Sequence, residues 1–388
     1  MQKTNAVISI GNEPNSVRTA TDELDPILEQ ALTEAGERHS GESDVCFAEY
    51  RNRKYQELAR FVTERKPVYL DMNFWIWIRN PSETKKPAAA QRLLALLRAG
   101  VKDARLLCPV SYAVFLELMK QPPERRLAQA RIMDELSQGI GIRNRFDTAE
   151  IEYLQFFARQ LLLPNGAKID PVWAPVGHLI GEKYQCSDGV PHEVTERFRK
   201  VMLDVTWAMR MEDYAKLTSP LPPATTADLI NAEHKLNPRN GKTFERLFAE
   251  ELDGALDAMS PHIENAIKEI ARQFQGADAG GALPERERRA LVNLIREAVT
   301  QCLDINAIPS QRIHAALHAA MRLDDCRDLK ENDLDDFRHA SVATAYCDVF
   351  LTEKPLAHTL RLPDVMKVIS HRCTVTSDLD EAISILTP

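Results

Sequence analysis

The chain has 388 residues, 44% hydrophobic and 27% charged, with 15 Gly and 22 Pro, a make-up that excludes fibrous and low-complexity classes and fits a soluble globular protein. Lys+Arg 49 against Asp+Glu 57 gives a net charge of -8, so any contact with nucleic acid has to come from local basic patches or from metal ions held by the excess acid. No apolar stretch approaches the roughly 20 residues needed to cross a bilayer, and Ala6 to Ile10 is too short for a secretory core, which excludes a membrane partner and points to the cytoplasm. The seven cysteines are scattered, odd in number and without a Cys-x-x-Cys pair; buried thiols are expected rather than a disulfide framework or a zinc ribbon.

Residues 1 to 20 read as a loose polar terminus. From Asp22 to Arg65 apolar residues recur at helical spacing, giving a helical N-terminal extension over 1–66. Val68-Tyr69-Leu70 then forms a short β-prone run stopped by Asp71, with an apolar helix from Asn73. Ala88 to Ala99 is a helix expected to be capped by Gly100. Leu106 to Val110 is a second strand, Tyr112 to Lys120 a helix halted by Pro122-Pro123, Leu127 to Ser137 another, and Gly139 to Ile142 a third strand. Strands alternating with helices at such intervals imply parallel pairing and an α/β class. Between about Pro164 and Met321 little strand pattern remains: Thr195 to Leu217, Thr225 to Leu236, Lys242 to Gln275, Pro284 to Leu303 and Pro309 to Met321 read as helices, broken at Ser219 to Pro223 and Gly276 to Leu283. This is a mostly helical insertion, 161–324. The α/β pattern resumes with a helix over Leu334 to Tyr346, a strand over Val349 to Thr352, an ambiguous Val365 to Ile369, a strand over Cys373 to Val375 and a terminal helix, so both ends of the chain are expected to complete one sheet.

Three features place carboxylates where packing alone does not ask for them. Asp71 follows a buried strand, at the end of an open α/β sheet where ligands bind; it also suits an N-cap. Glu117 sits in a helix otherwise apolar nearly all round, so it needs either a solvent-facing edge or a cation beside it. The stretch Asp324 to Asp336 holds seven acids against Arg327 and Lys330, a local charge of 2 - 7 = -5. Helix capping and the macrodipole account for part of it, but not for adjacent acids at Asp335 and Asp336. His339 follows one turn later.

These segments together resemble PIN-domain nucleases. The family's strand ending in an acid is matched by Leu70-Asp71-Met72-Asn73. Its Glu-Leu pair on a Pro-introduced helix is matched by Pro109 through Glu117-Leu118. Its late helix, opening with Asp and passing through small residues to a strand ending in Thr, is matched by Asp336, Ala340, Ala343 and Ala345 to Val349-Phe350-Leu351-Thr352. Residues 67–160 and 325–388 are covered, as two parts of one PIN-like domain: a parallel sheet flanked by helices and interrupted by the all-helical insertion. The resemblance implies a hydrolase, most often an endoribonuclease, that depends on Mg2+ or Mn2+ and prefers RNA to DNA. Asp71, Glu117 and Asp336 would be metal ligands, Glu353 and Asp335 would support a second ion or orient water, and His339 would assist at the phosphate. Hard divalent cations favour carboxylate oxygen, and a scissile phosphate needs charge neutralised and water activated.

The sequence departs from the family at its fourth acid: Lys354 occupies that place and Glu353 lies one residue early. His339 stands where an aliphatic residue is common. A catalytically decayed PIN-like binding or scaffold protein, acting through the helical insertion on a protein partner or a second copy, is the competing reading. Among weaker signals, His314 and His318 form an i,i+4 pair with no evident third ligand. Trp75 and Trp77 suit either the core or base stacking. Arg286, Arg288 and Arg289, and Arg197, Arg199 and Lys200, suit either a solvated helix face or phosphate contacts.

Overall fold

The computed structural model describes residues 26–41, 45–161, 168–182, 184, 186, 189–217, 226–236, 241–275, 284–301, 303–304, 306–324, 328–369 and 373–387. After helices α1 (Pro26–Arg38) and α2 (Phe47–Thr63), strand β1 (Lys66–Leu70) runs into α3 (Met72–Arg79) and α4 (Pro87–Lys102). Strands β2 (Leu106–Leu107) and β3 (Val110–Ser111) lead to α5 (Tyr112–Lys120) and α6 (Pro123–Ser137), and β4 (Ile140–Ile142) leads to α7 (Arg145–Gln160). β5 (Trp173–Pro175) precedes α8 (His192–Ala208), α9 (Met211–Leu217), α10 (Thr226–Leu236), α11 (Phe244–Ala258), α12 (Ser260–Gln275), α13 (Glu285–Thr300) and α14 (Pro309–Leu323). The chain closes with α15 (Glu331–Tyr346), β6 (Val349–Leu351), α16 (Lys354–Leu360), α17 (Pro363–Val368), β7 (Thr374–Thr376) and α18 (Leu379–Leu386).

The class is mixed α/β. A parallel four-stranded sheet, ordered β2-β1-β6-β7, lies between helices. Val68, Tyr69 and Leu70 of β1 and Val349, Phe350 and Leu351 of β6 are fully buried, the unbroken apolar run that a strand covered on both faces requires. Their register pairs Leu70 with Leu351, so Asp71 and Thr352 leave neighbouring strands at one level. The Asp71 N–H donates to the Leu351 carbonyl at 3.0 Å and the Thr352 N–H to that of Thr376 at 3.0 Å. Between β2 and β3, Pro109 carries no donor and the Cys108 N–H turns to the Leu136 carbonyl. Past this break, β3 pairs parallel with β4, and β4 antiparallel with β5.

Several local expectations change. β5 lies inside the stretch read as all-helical; its three residues end in Pro175, too short and proline-bound to mark a strand by pattern. Gly100 is not a cap: α4 continues to Lys102, with Asp103 as its C-cap, and a Cβ at position 100 would meet the Leu106 side chain at 2.4 Å. The glycine permits close helix-to-strand packing instead. Pro123 opens α6 rather than only halting α5, at the first position where its missing N–H costs nothing. Val365 to Ile369 falls mainly within α17. Of the cysteines described, Cys108, Cys347 and Cys373 are buried but Cys46 is exposed. The polar terminus over 1 to 20, the breaks at Ser219 to Pro223 and Gly276 to Leu283, and Cys302 and Cys326 lie outside the described residues.

The later helices share a continuous apolar core with the sheet layer. A polar lock pins α14 there: buried Glu152 on α7 accepts from the Ser310 N–H at 2.8 Å and from the Tyr346 hydroxyl. Burial pushes the Glu152 carboxyl up to about 7, with these donors opposing. Glu152→Ala strands buried donors on two helices, so a loss of about 1–3 kcal/mol is expected in denaturant unfolding, with Glu152→Gln less affected. An alanine variant as stable as the parent would remove this role.

Candidate active site at the carboxyl end of the sheet

Asp71 fits the capping reading and stands at the carboxyl end of β1. It is the N-cap of α3, one carboxylate oxygen (Oδ1) accepting from the Phe74 N–H at 3.1 Å. The other, Oδ2, is buried without a hydrogen-bond partner, as is the neighbouring Thr352 hydroxyl. The side chain is 3% exposed. Burial pushes its carboxyl up to about 6; the Phe74 N–H and His339 ease the charge, and Glu353 adds to the repulsion.

Asp336, on the first half of α15, faces the same space. It makes no hydrogen bond or ion pair with any described residue. Its carboxyl is pushed up to about 8, first by burial, then by the negative charge of Glu353, with Asp71 and Glu117 adding and His339 opposing. Glu353, leaving β6, is turned inward by Asn73 of α3, whose side-chain amide donates to it. The early position of this acid therefore does not take it out of the pocket.

Glu117 reaches the pocket from α5, where it meets the His339 imidazole. His339 Nε2 lies 2.8 Å from Glu117 Oε2, and Nδ1 lies 2.7 Å from the Tyr69 hydroxyl. Burial alone would lower the imidazole; Glu117, by charge and hydrogen bond, with Asp71 and Asp336, raises it above its ordinary value. In the protonated ring both nitrogens donate, and Tyr69 continues the chain to Ser111 Oγ at 2.5 Å. Ser111 also caps α5, accepting from the Val114 N–H at 3.3 Å. With both nitrogens engaged and the residue 1% exposed, His339 has no atom free for a phosphate. It bonds an acid, Glu117, instead of standing open to a phosphate.

Asp335 is more fully engaged. One residue round the helix from Asp336, about 100° away, it is buried against cations: Lys120 bonds one oxygen and Arg338 the other, at 2.7 Å. A carboxylate paired twice has little left to offer an ion or a water. The pocket thus gathers Asp71, Glu117, Asp336 and Glu353, with Lys120 half exposed at its flank. Sequence reasoning missed Tyr69, Ser111 and the bond from Asn73. Tyr69 reads as strand core and Ser111 as a cap, and only register brings them to His339.

An all-oxygen donor set that includes one orphaned buried oxygen and one unbonded carboxyl suits a hard divalent cation. The acids are spaced apart, however. Among the described residues, His/Cys/Asp/Glu ligand atoms lie within 4.8 Å of one another in groups of three or more only at His234, Glu251 and His318. Glu117 is bonded to His339 and Glu353 to Asn73, and a cation that keeps several waters takes few direct carboxylates.

The weaker signals resolve toward packing. Trp75 is fully buried and unable to stack on a base; Trp77 packs on Phe74 at 4.8 Å between ring centres. Arg288 and Arg289 pair with Glu285 at 2.7 and 2.8 Å, and Arg197 donates to the Gly36 carbonyl at 2.9 Å. No helix among the described residues is long and apolar enough to cross a membrane. Comparisons with protein-family models, with curated proteins and with solved structures found no match to this chain.

Proposed function

We propose that this chain is a divalent-cation-dependent nuclease that hydrolyses phosphodiester bonds, with RNA as the preferred substrate and Mg2+ or Mn2+ as the ion. The observation that carries the reading is Asp336: a carboxyl with no bonding partner, turned toward three other acids and driven up to about 8. Leaving such a group uncompensated costs folding energy, and strongly perturbed carboxyls grouped at the carboxyl end of a parallel sheet are the mark of a working site.

Asp71, through its orphaned oxygen, Asp336 and Glu117 would hold the ion, with Glu353 beside them. When bound, the ion supplies charge neutralisation at the phosphate and a lowered water pKa. The chain's own residues do the rest. His339 fixes the orientation of Glu117 through a ring anchored on Tyr69 and Ser111. Asn73 keeps Glu353 inward. Lys120 and Arg338, neutralised in part by Asp335, would offer positive charge to a backbone phosphate.

A decayed, non-catalytic relative of such a nuclease is the second reading, favoured by Lys354 at the place of the family's fourth acid. Incubating the protein with labelled single-stranded RNA in Mn2+, with and without chelator, separates the two. Cleavage that chelator abolishes supports the enzyme; Mn2+ binding with no cleavage of RNA or DNA supports the second reading.

A further inference from the structure

His318, one of the sequence's i,i+4 histidines, meets a carboxylate and a different histidine in three dimensions. His318 on α14 is 5% exposed, and its Nδ1 is buried without a hydrogen-bond partner. That nitrogen lies 3.9 Å from Glu251 Oε2 on α11, too far for a hydrogen bond, and His234 Nε2, in the last turn of α10, lies 3.6 Å from Glu251 Oε1. The three ligand atoms are within 4.8 Å of one another. His314 is not part of the group; it only packs its ring on His318 at 4.6 Å.

We propose that His234, Glu251 and His318 form a binding site for a borderline transition-metal ion, Zn2+ foremost, which fastens α10 onto the packed pair α11 and α14. Bonds of about 2.0–2.2 Å in tetrahedral geometry put neighbouring ligand atoms about 3.4 Å apart; each imidazole nitrogen already lies 3.6 or 3.9 Å from a different Glu251 oxygen, so a small inward shift of the side chains would close the set on one ion. Two imidazoles with one carboxylate suit Zn2+, whereas Mg2+ and Ca2+ call for oxygen alone. The buried His318 Nδ1 has no hydrogen-bond partner, so an ion there would meet an unengaged nitrogen.

Arg322 donates to Glu251 Oε1 at 2.6 Å and to Glu250 Oε2 at 3.2 Å. It neutralises part of the carboxylate charge but leaves the His318 nitrogen unanswered, and a partner of this kind commonly orients a ligating carboxylate. His234 and Glu251 are partly exposed, which gives an ion access from solvent, and three protein ligands leave a fourth position for water. The site also bears on the acid pocket through packing. The His318 ring meets Phe337, next to Asp336, at 5.0 Å, and Asn231 of α10 bonds both backbone groups of Leu329, before α15, at 2.9 and 2.8 Å.

The test uses the full chain carrying Asp71→Asn and Asp336→Asn, so that the acid pocket contributes little, stripped of metal and titrated with Zn2+ against a chromophoric chelator. One Zn2+ per chain is expected, with a rise in melting temperature. His234→Ala, at a partly exposed position that leaves the core untouched, is expected to lower affinity at least about tenfold and to remove that rise, as is Glu251→Gln. Failure to take up Zn2+, or uptake of equal affinity in His234→Ala and Glu251→Gln proteins whose circular dichroism matches the parent, overturns the proposal.

Discussion

Asp71→Asn and Asp336→Asn are each expected to slow Mn2+-dependent cleavage of single-stranded RNA by about 10^3-fold or more, while the proteins stay folded. Losing one ionised ligand removes about 4 kcal/mol of transition-state charge stabilisation, and each 1.36 kcal/mol is tenfold in rate. The substitutions isolate charge unusually well here. Asn is as good an N-cap as Asp, so the bond from the Phe74 N–H to position 71 survives. Asp336 has no bond with a described residue to lose. Single-turnover rates with circular dichroism as the folding control give the reading; if both variants cut as fast as the parent, the assignment of these residues fails.

The second large effect runs opposite to ordinary loss of a buried group: Asp336→Asn is expected to stabilise the metal-free protein at pH 8. In the unfolded chain an Asp ionises near its ordinary value of about 4. In the fold, burial and facing acids hold the Asp336 proton until about 8, as they hold that of Asp71 until about 6. The stability tied to Asp336 is therefore fully present below about pH 4 and is lost as pH rises through 8, because the unfolded state gives up its proton first. Buried histidines work the other way. Burial holds His178 down to about 3 and His314 to about 4, and their contribution disappears as pH falls below about 6.5. The difference between variant and parent isolates position 336 from this background. Denaturant unfolding in chelator should give near equality at or below about pH 4, with the variant ahead by about 2–3 kcal/mol at pH 8; that figure takes about 1.4 kcal/mol per tenfold in proton affinity and discounts screening of the partly exposed Glu117 and Glu353. A variant less stable than the parent at pH 8 would mean that no repulsion is concentrated there.

What could be read from the sequence follows from how locally each feature is determined. Strands β1 and β6 were legible because buried parallel strands are continuous apolar runs, and because Asp71 and Thr352 end them abruptly. Helices α5, α10 and α14 were legible within a few residues from periodicity and proline. β5 was not: Trp173 to Pro175 is a strand only because β4 offers it a backbone edge. The pocket was legible as far as residue type reaches, in Asp71, Glu117 and Asp336. The pairing of Asp335 was not, because adjacent identical side chains differ only in helix phase and in what lies opposite. Lys120, from a distant part of the chain, pairs with Asp335. The same holds for His339, whose chemistry is set by Glu117 and Tyr69, and for His318, whose partners sit on two other helices. Each piece of the sequence specifies its own element well; which polar groups meet is decided by packing between elements.

In the proposed nuclease, carboxyls from both ends of the chain form one pocket whose repulsion a divalent cation relieves. Calorimetric titration of the His234→Ala protein with Mn2+ tests it most directly, since the histidine site is then disabled. Saturable binding that is weakened at least about tenfold by Asp336→Asn and by Asp71→Asn is the predicted result. Binding that neither substitution alters, or the absence of binding in the parent, would contradict it.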